Sequence, residues 1–458
     1  MYNQTMQKDM TQGNPLSLIL KFAVPLLLGN LLQQTYNVVD AAIVGRILGT
    51  NALAGVGAST SVQFLIMGFC IGTCSGFGIP IAQRFGAQDY KHMKDYLFHG
   101  YVLSALIALI LTISCSLLCP QILRLLKTPA EIFHDAYTYL LILFIGIPCT
   151  VLYNLLSAYL RAIGDSKTPF VFLAISTVLN IGLDFVCIAV FGWGVAGAAL
   201  ATVFSQFLSG ILCLIVILWK SKTLHIGKEN CHFRRKDATS MLLMGAPMGL
   251  QFSITAIGSM FMQSANNGLG SIYVSGFTAG CRIKQFMMCP FDAIGTAVSV
   301  YVGQNYGAGF FERIKKGIRM GFVINIAYGI IAGLALIFGG RAMAQLFMDA
   351  SEHAVLDACA QYLACLGFCY WILGSLAIFR LSVQGLGFSG RAIFSGVSEM
   401  IARIAVSLTL VPLFGFWGIC VADQSAWCAA CIYLWPTLAY CLKKVKQSLT
   451  AGSASSNL

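Results

Sequence analysis

Twelve apolar stretches recur along this chain, at roughly 16–45, 52–83, 95–119, 131–160, 169–191, 194–219, 239–266, 271–304, 317–339, 354–384, 392–412 and 416–442. Each exceeds the ~20 residues an α-helix needs to cross hydrocarbon. Only helices and closed barrels satisfy their backbone in lipid, and runs of this length read as helices. The composition agrees: of 458 residues, 58% are hydrophobic and 10% charged, against about 25% charged in soluble domains. The expected fold is an all-α integral membrane protein with twelve transmembrane helices. Several stretches are long enough to tilt or kink, with Pro25, Pro148, Pro247 and Pro290 as candidate bends. No cleavable signal peptide is expected, because the first 14 residues are polar and the run from Leu16 is far longer than an h-region.

The net charge of +12 sorts by side. One side collects Lys8, Arg84, Lys91, Lys94, Arg161, Lys167, the loop from Lys220 to Lys236, Arg313, Lys315, Lys316, Arg319, Arg391 and Lys443, Lys444 and Lys446. The other holds Arg46, Arg124, Lys127 and Arg341. The positive-inside rule makes the first side cytoplasmic, with both termini inside a cell membrane. The basic excess therefore reports topology, and no contiguous patch suggests nucleic acid. The 17 Cys sit almost all in apolar runs and read as small buried side chains. Cys428 and Cys431 have no histidine nearby. His92, His99, His134, His225, His232 and His353 fall in loops or near helix ends without clustering, so no metal site, cofactor or enzymatic centre is expected.

The chain also repeats itself. "AQRFGAQ" (82–88) matches "GQNYGAG" (303–309) at an offset of 221. Gly49 pairs with Gly270 and Gly164 with Gly385 at that offset, Pro25 with Pro247 at 222, and "FGWG" (191–194) with "FGFWG" (414–418) at 223. Six spans per half is an even number, so both halves enter the membrane from the same side, as two parallel six-helix repeats. The expected division is an N-terminal lobe, 1–219, a cytoplasmic loop, 220–238, and a C-terminal lobe with its tail, 239–458. Two such lobes suit a rocking secondary transporter. No G-x-x-x-x-G-K-[ST] phosphate loop is present to drive it with ATP.

Acids break the repeat. Asp40 has Phe261 or Met262 as its mate, and Asp184 has Ala405 or Val406. Duplication preserves packing residues in both halves, so an acid kept in one half only points to a task. Counting from the outer helix ends puts both acids roughly 9–11 Å deep. Asn180 shares a face with Asp184 at i−4, and Gln33, Tyr36 and Asp40 share one face of the first span. Thr202 lies at a similar depth in the sixth. Two carboxylates, an amide and a hydroxyl at one level can hold H⁺ or Na⁺ with oxygen ligands.

These segments together resemble the multidrug and toxic compound extrusion (MATE) family, in its prokaryotic DinF-like branch. The resemblance rests on "YNVVDAAIVGRILG", "QRFGA", "GQNYGAG", "LRAIGDSKTP", "LNIGLD" and "GVAGAALATV" and covers the whole chain. It implies multidrug efflux of small lipophilic, often cationic, organic compounds by H⁺ or Na⁺ antiport with alternating access, needing no cofactor. It also implies coupling at Asp40, Asn180, Asp184 and Thr202, with Tyr36 and Asn154 nearby. Another branch uses acids in spans 7 and 10, where this chain has Gln251 and no acid beyond Asp357. Gln33, Tyr36, Asn154, Met260, Phe261 and Met287 are candidate cavity residues, because flexible Met-rich surfaces suit varied apolar ligands. Glu399 and Arg403, at i, i+4, read as an internal ion pair. Arg282, Lys284 and Asp292 turn span 8 toward protein or water. Arg380 and Asp423 also read as buried, and spacing names no partner for either. A monomer in membrane lipid is expected. The alternatives are a lipid-linked saccharide flippase of the same superfamily, which would favour a cationic cavity, and an integral-membrane enzyme, which would need clustered acids or histidines.

Overall fold

The computed structural model describes residues 9–126, 128–221 and 223–455, with side chains to residue 451. Lys8 and Lys127, which help to assign the two sides, lie outside the described residues. Helices α1 (Pro15–Ile47), α2 (Thr50–Gly86) and α3 (Tyr90–Leu125) are followed by α4 (Ala130–Ile145), α5 (Ile147–Ala162), α6 (Lys167–Phe185) and α7 (Gly194–Lys220). The second half brings α8 (Arg235–Asn267), α9 (Ser271–Gly307), α10 (Phe311–Ala344), α11 (His353–Phe368), α12 (Tyr370–Gly385), α13 (Ser389–Phe414) and α14 (Phe416–Ser455). A π-helical turn, Val186–Val190, extends α6. Ten helices are long and apolar enough to cross a membrane, and the bent pairs α4–α5 (48°) and α11–α12 (55°) complete twelve spans.

The breaks have local causes. The first falls at Gly146, beside Pro148; a β-carbon on Gly146 would lie 2.3 Å from Val203 Cγ2 of α7. The second, at Cys369, has no proline beside it but stands 223 positions after the first. It is the same bend at the equivalent position of the repeat, made without a proline. Pro25, Pro247 and Pro290 lie within unbroken helices. In hydrocarbon, neighbouring groups re-satisfy the backbone around such prolines, so the helix continues.

Left-handed backbone positions trace the duplication independently of side chains. Gly49 (φ 90°) recurs as Gly270 (105°), and Gln88 (58°) as Gly309 (78°), both at 221. Gly164 (86°) recurs as Gly387 (88°), and Gly192 (67°) as Gly415 (58°), both at 223. Gly387, rather than Gly385, is therefore the structural mate of Gly164. Gly385 ends α12 and is buried.

The chain divides into two compact units. Unit 1 contains Leu28–Gly249; unit 2 contains Met10–Leu27 and the described part of Leu250–Leu458. In unit 1, Phe77, Leu97, Phe144, Leu156 and Tyr159 form the core. Small residues let α2 and the start of α8 touch: a β-carbon on Gly76 would lie 2.6 Å from Gly245 Cα. Close backbone approach of this kind drives association where lipid offers no hydrophobic gain. The segment before α8 is tied to α3. Asn230 Nδ2 donates to Asp95 Oδ1 (2.9 Å), the Arg234 guanidinium to Asp95 Oδ2 (3.3 Å), and the Arg234 backbone N–H to His99 Nε2 (2.8 Å). His99 Nδ1 sits 2.6 Å from the Asp95 carbonyl. His99 is fully buried within α3, a structural role that its position near a helix end does not announce.

In unit 2, Phe291, Tyr301, Tyr362, Tyr370 and Trp427 anchor the core. The "GQNYGAG" segment holds the chain before α1. Gln304 Oε1 accepts from the Met10 N–H (2.9 Å), Asn305 Nδ2 donates to the Met10 carbonyl (3.1 Å), and Arg313 Nη1 to the Gly13 carbonyl (3.0 Å). Helices α10 and α11 cross at Gly333 and Gly367. A β-carbon on Gly367 would sit 2.5 Å from the Gly333 carbonyl oxygen and 2.7 Å from Ile337 Cγ1. Gly367→Val must push this crossing apart, at a cost of about 1–3 kcal/mol. Its melting temperature in detergent should fall clearly below wild type. Gly390→Ala, whose added carbon meets nothing within 4 Å, should melt like the wild type; equal melting of both variants would contradict the packing account.

Candidate functional site

Unit 1 holds two acids out of water. Asp184, on α6, is fully buried, Asp40, on α1, is 8% exposed, and Asn180, one turn before Asp184, is 3% exposed. The two carboxyls face each other within electrostatic and hydrogen-bonding reach. Among the described residues neither carboxylate pairs with a cation. Asp40 Oδ1, both Asp184 carboxylate oxygens and both amide atoms of Asn180 lack a hydrogen-bond partner of good geometry. Buried polar atoms are normally satisfied, and an orphaned group out of water costs about 1–3 kcal/mol, more when charged. Four of these five atoms are oxygens and form a ligand set that suits a proton or a small hard cation, while Asn180 Nδ2 can only donate.

Tyr36, on α1, and Tyr139, on α4, lie in the field of both carboxylates. Tyr139 is 4% exposed and was not among the sequence candidates; nothing in its spacing sets it apart from the other tyrosines. Thr202 is half-buried on α7, the helix packed along α6, and makes no hydrogen bond to either carboxyl. Gln33 is half-buried on α1. Asn154 Nδ2 is spent on the Thr150 carbonyl of its own helix, at 2.8 Å. On α8, Met260 is half-buried and Phe261 47% exposed. Met287 on α9 is half-buried, and its carbonyl accepts from Tyr328 Oη at 2.9 Å.

Unit 2 treats its charges differently. Arg380 (α12) pairs with Glu399 (α13), whose other oxygen lies 3.3 Å from Arg403 Nη1. Arg403 reaches Asp423 (α14) at 3.1 Å, and Asp423 meets Lys284 Nζ (α9) at 2.7 Å and the Tyr362 hydroxyl (α11) at 2.8 Å. Arg380 Nε also donates to Ser395 Oγ at 3.0 Å. This continuous chain supplies the partners of Arg380 and Asp423 and knits five helices. Removing one member of such a buried network typically costs ~3–5 kcal/mol, because it strands the opposite charge. Gln251 and Gln384 form a neutral pair, Gln384 Nε2 donating to Gln251 Oε1 at 2.7 Å. Asp357 lies near the start of α11, exposed and ion-paired with Arg341 at 2.6 Å. Among the described residues no three His, Cys, Asp or Glu are placed to hold a metal.

Comparison with known proteins agrees with this architecture. The MatE family model matches residues 25–186 and again 247–409, once in each repeat. The probable multidrug resistance protein YpnP of Bacillus subtilis (strain 168) is 31% identical, over 93% of this chain and 96% of its own length. The probable multidrug resistance protein YoeA of the same organism is 29% identical, over 86% and 88%. A solved structure described as the outward-facing conformation of a multidrug resistance MATE family transporter of the MOP superfamily superposes with a TM-score of 0.90 at 22% identity, covering 96% of this chain and 98% of that one. At that identity the likeness concerns the fold. The repeated family match and the full-length relatives lead to one conclusion: the chain belongs to the MatE family of multi-pass membrane transporters associated with multidrug efflux, and it is not an enzyme.

Proposed function

We propose that this chain is a secondary-active exporter that moves lipophilic, often cationic, organic compounds out of the cell in exchange for H⁺ or Na⁺, with Asp40 and Asp184 as the coupling pair. The observation that carries the reading is the meeting of two carboxyls from α1 and α6 with no cation beside them among the described residues. Two ionised carboxylates facing each other out of water repel and lack solvation; a bound proton or cation relieves both costs. Asn180 adds an oxygen acceptor for a cation, and Tyr36 and Tyr139 border the same space. Binding of the ion and of the exported compound to the same lobe then couples their movements. The repeats 1–219 and 239–458 act as the two lobes, with both termini and the loop 220–238 in the cytoplasm.

Orientation is tested with Cys231, the exposed thiol of that loop. A membrane-impermeant maleimide should leave it unlabelled in intact cells and label it in inverted vesicles; labelling in intact cells would reverse the topology. Coupling is tested by Asp40→Asn and Asp184→Asn. Each should be made and inserted at normal levels yet lower resistance to a transported dye to that of cells lacking the protein. Wild-type efflux by either variant would remove the pair from the mechanism.

A further inference from the structure

Helix α9 carries a polar stripe on one face. Ser275, Thr278, Arg282 and Gln285 are exposed, then Asp292, then half-buried Thr296 and Ser299. The intervals of 3, 4, 3, 7, 4 and 3 residues keep one helical face throughout. From Ser275 to Ser299 the stripe runs about 36 Å at 1.5 Å per residue, longer than the ~30 Å hydrocarbon core. Polar and charged side chains at membrane depth face protein or water, because lipid penalises them. The opposite face of α9 is occupied: Phe277, Ile283, Phe291, Val298 and Tyr301 belong to the unit 2 core. The exposed part of the stripe, Ser275 to Asp292, is therefore a polar face about 26 Å long, and its inner end packs against α12, where Ser299 lies beside Gly385.

Asp292 stands alone on this stripe. It is exposed, and among the described residues it makes no hydrogen bond and no ion pair. Arg380 lies within its field, but that guanidinium is already paired with Glu399. Lys284, Arg380, Glu399, Arg403 and Asp423 are tied into one chain of ion pairs, and Arg282 is the other charge on the stripe. The outer end of the stripe opens into a cavity of about 530 Å³ lined by Ser275, Thr278 and Arg282, with Phe347, Asp349 and Glu352 opposite. Two acids against one arginine leave that mouth with one net negative charge. Met288, one turn before Asp292 on the same face of α9, is half-buried and apolar. The matching face of α2, at an offset of 221, has Ala54, Gly57, Ser61, Phe64, Ile71 and Ser75 and no charge. The stripe is thus a property of the second half alone, as the Asp40–Asp184 pair is of the first.

We propose that this face of α9 is the track along which the exported compound leaves, with Asp292 as the carboxylate that recognises its positive charge and the Asp349–Glu352 mouth as the outer end. An unpaired carboxylate one turn from the Met288 thioether, on the face that leads to Phe347 at the mouth, matches a lipophilic organic monocation: charge for the acid, apolar surface for the thioether and ring. The assignment rests on the export reading above and adds to it a determinant of charge selectivity separate from ion coupling.

The test uses the full-length protein in detergent, with rhodamine 6G as cationic probe and Nile red as neutral probe. Asp292→Asn should weaken rhodamine 6G binding about fivefold, the scale of one partly screened charge contact, and leave Nile red binding unchanged. Asp292→Glu should restore the cation's affinity. Equal losses for both dyes would make Asp292 structural; no loss for the cation, or a wild type that binds only the neutral dye, would overturn the proposal. Should Asp292→Asn fail to fold, the exposed double change Asp349→Asn, Glu352→Gln should slow rhodamine 6G association and spare Nile red, and unchanged association would overturn it equally. The separating readout is the response to ions: Asp292→Asn should keep the wild-type dependence of dye affinity on pH or Na⁺, so loss of coupling and loss of cation recognition are read apart.

Discussion

An ionised carboxylate in hydrocarbon costs several kcal/mol, and the two units of this protein meet that cost in opposite ways. In unit 2, Glu399 and Asp423 are each held between two cations, so neither acid is left wanting a charge. In unit 1, Asp40 and Asp184 face each other, with the neutral side chains of Asn180, Tyr36 and Tyr139 nearby. A closed charge network rigidifies five helices and has no reason to change occupancy. An open pair is stable only with something bound, and what binds can come and go. The contrast assigns scaffold to one set of charges and exchange to the other.

The duplicated fold makes this division of labour possible. Left-handed turns, the bend at Gly146 and its mate at Cys369, and close glycine contacts recur in both halves because they build the twelve spans. The buried charges within the spans do not recur, because the backbone does not require them. Each half could therefore acquire its own polar features: the carboxylate pair on α1 and α6 in one, the polar face of α9 and the five-helix ion chain in the other. Local docking also differs. A histidine and an aspartate of α3 hold the segment before α8, whereas Gln304, Asn305 and Arg313 hold the segment before α1.

Hydropathy alone reveals the twelve spans, since length and apolarity are properties of contiguous sequence. Depth counting brings Asp40 and Asp184 to one level, and helical period puts Asn180 beside Asp184. Other features depend on which helices neighbour one another. Lys284 and Asp423 are 139 residues apart, and Arg380 and Glu399 19 apart on different helices; no periodicity names such partners. The bend at Cys369 escapes a search for prolines and becomes visible only through the repeat, whose offset drifts by two residues along the chain. His99 looks like a residue near a helix end until the loop that it holds folds back onto it.

The central claim is that the Asp40–Asp184 pair exchanges its ion with the transported compound. Linkage makes this measurable without transport, because two ligands that compete through one site lower each other's affinity by the same factor. Dye affinity of the purified protein should be titrated against pH and, separately, against Na⁺. The account predicts that affinity falls as pH drops or as Na⁺ rises, and that this dependence vanishes in Asp40→Asn. Wild-type dye affinity indifferent to both ions would contradict it and return Asp40 to a structural role.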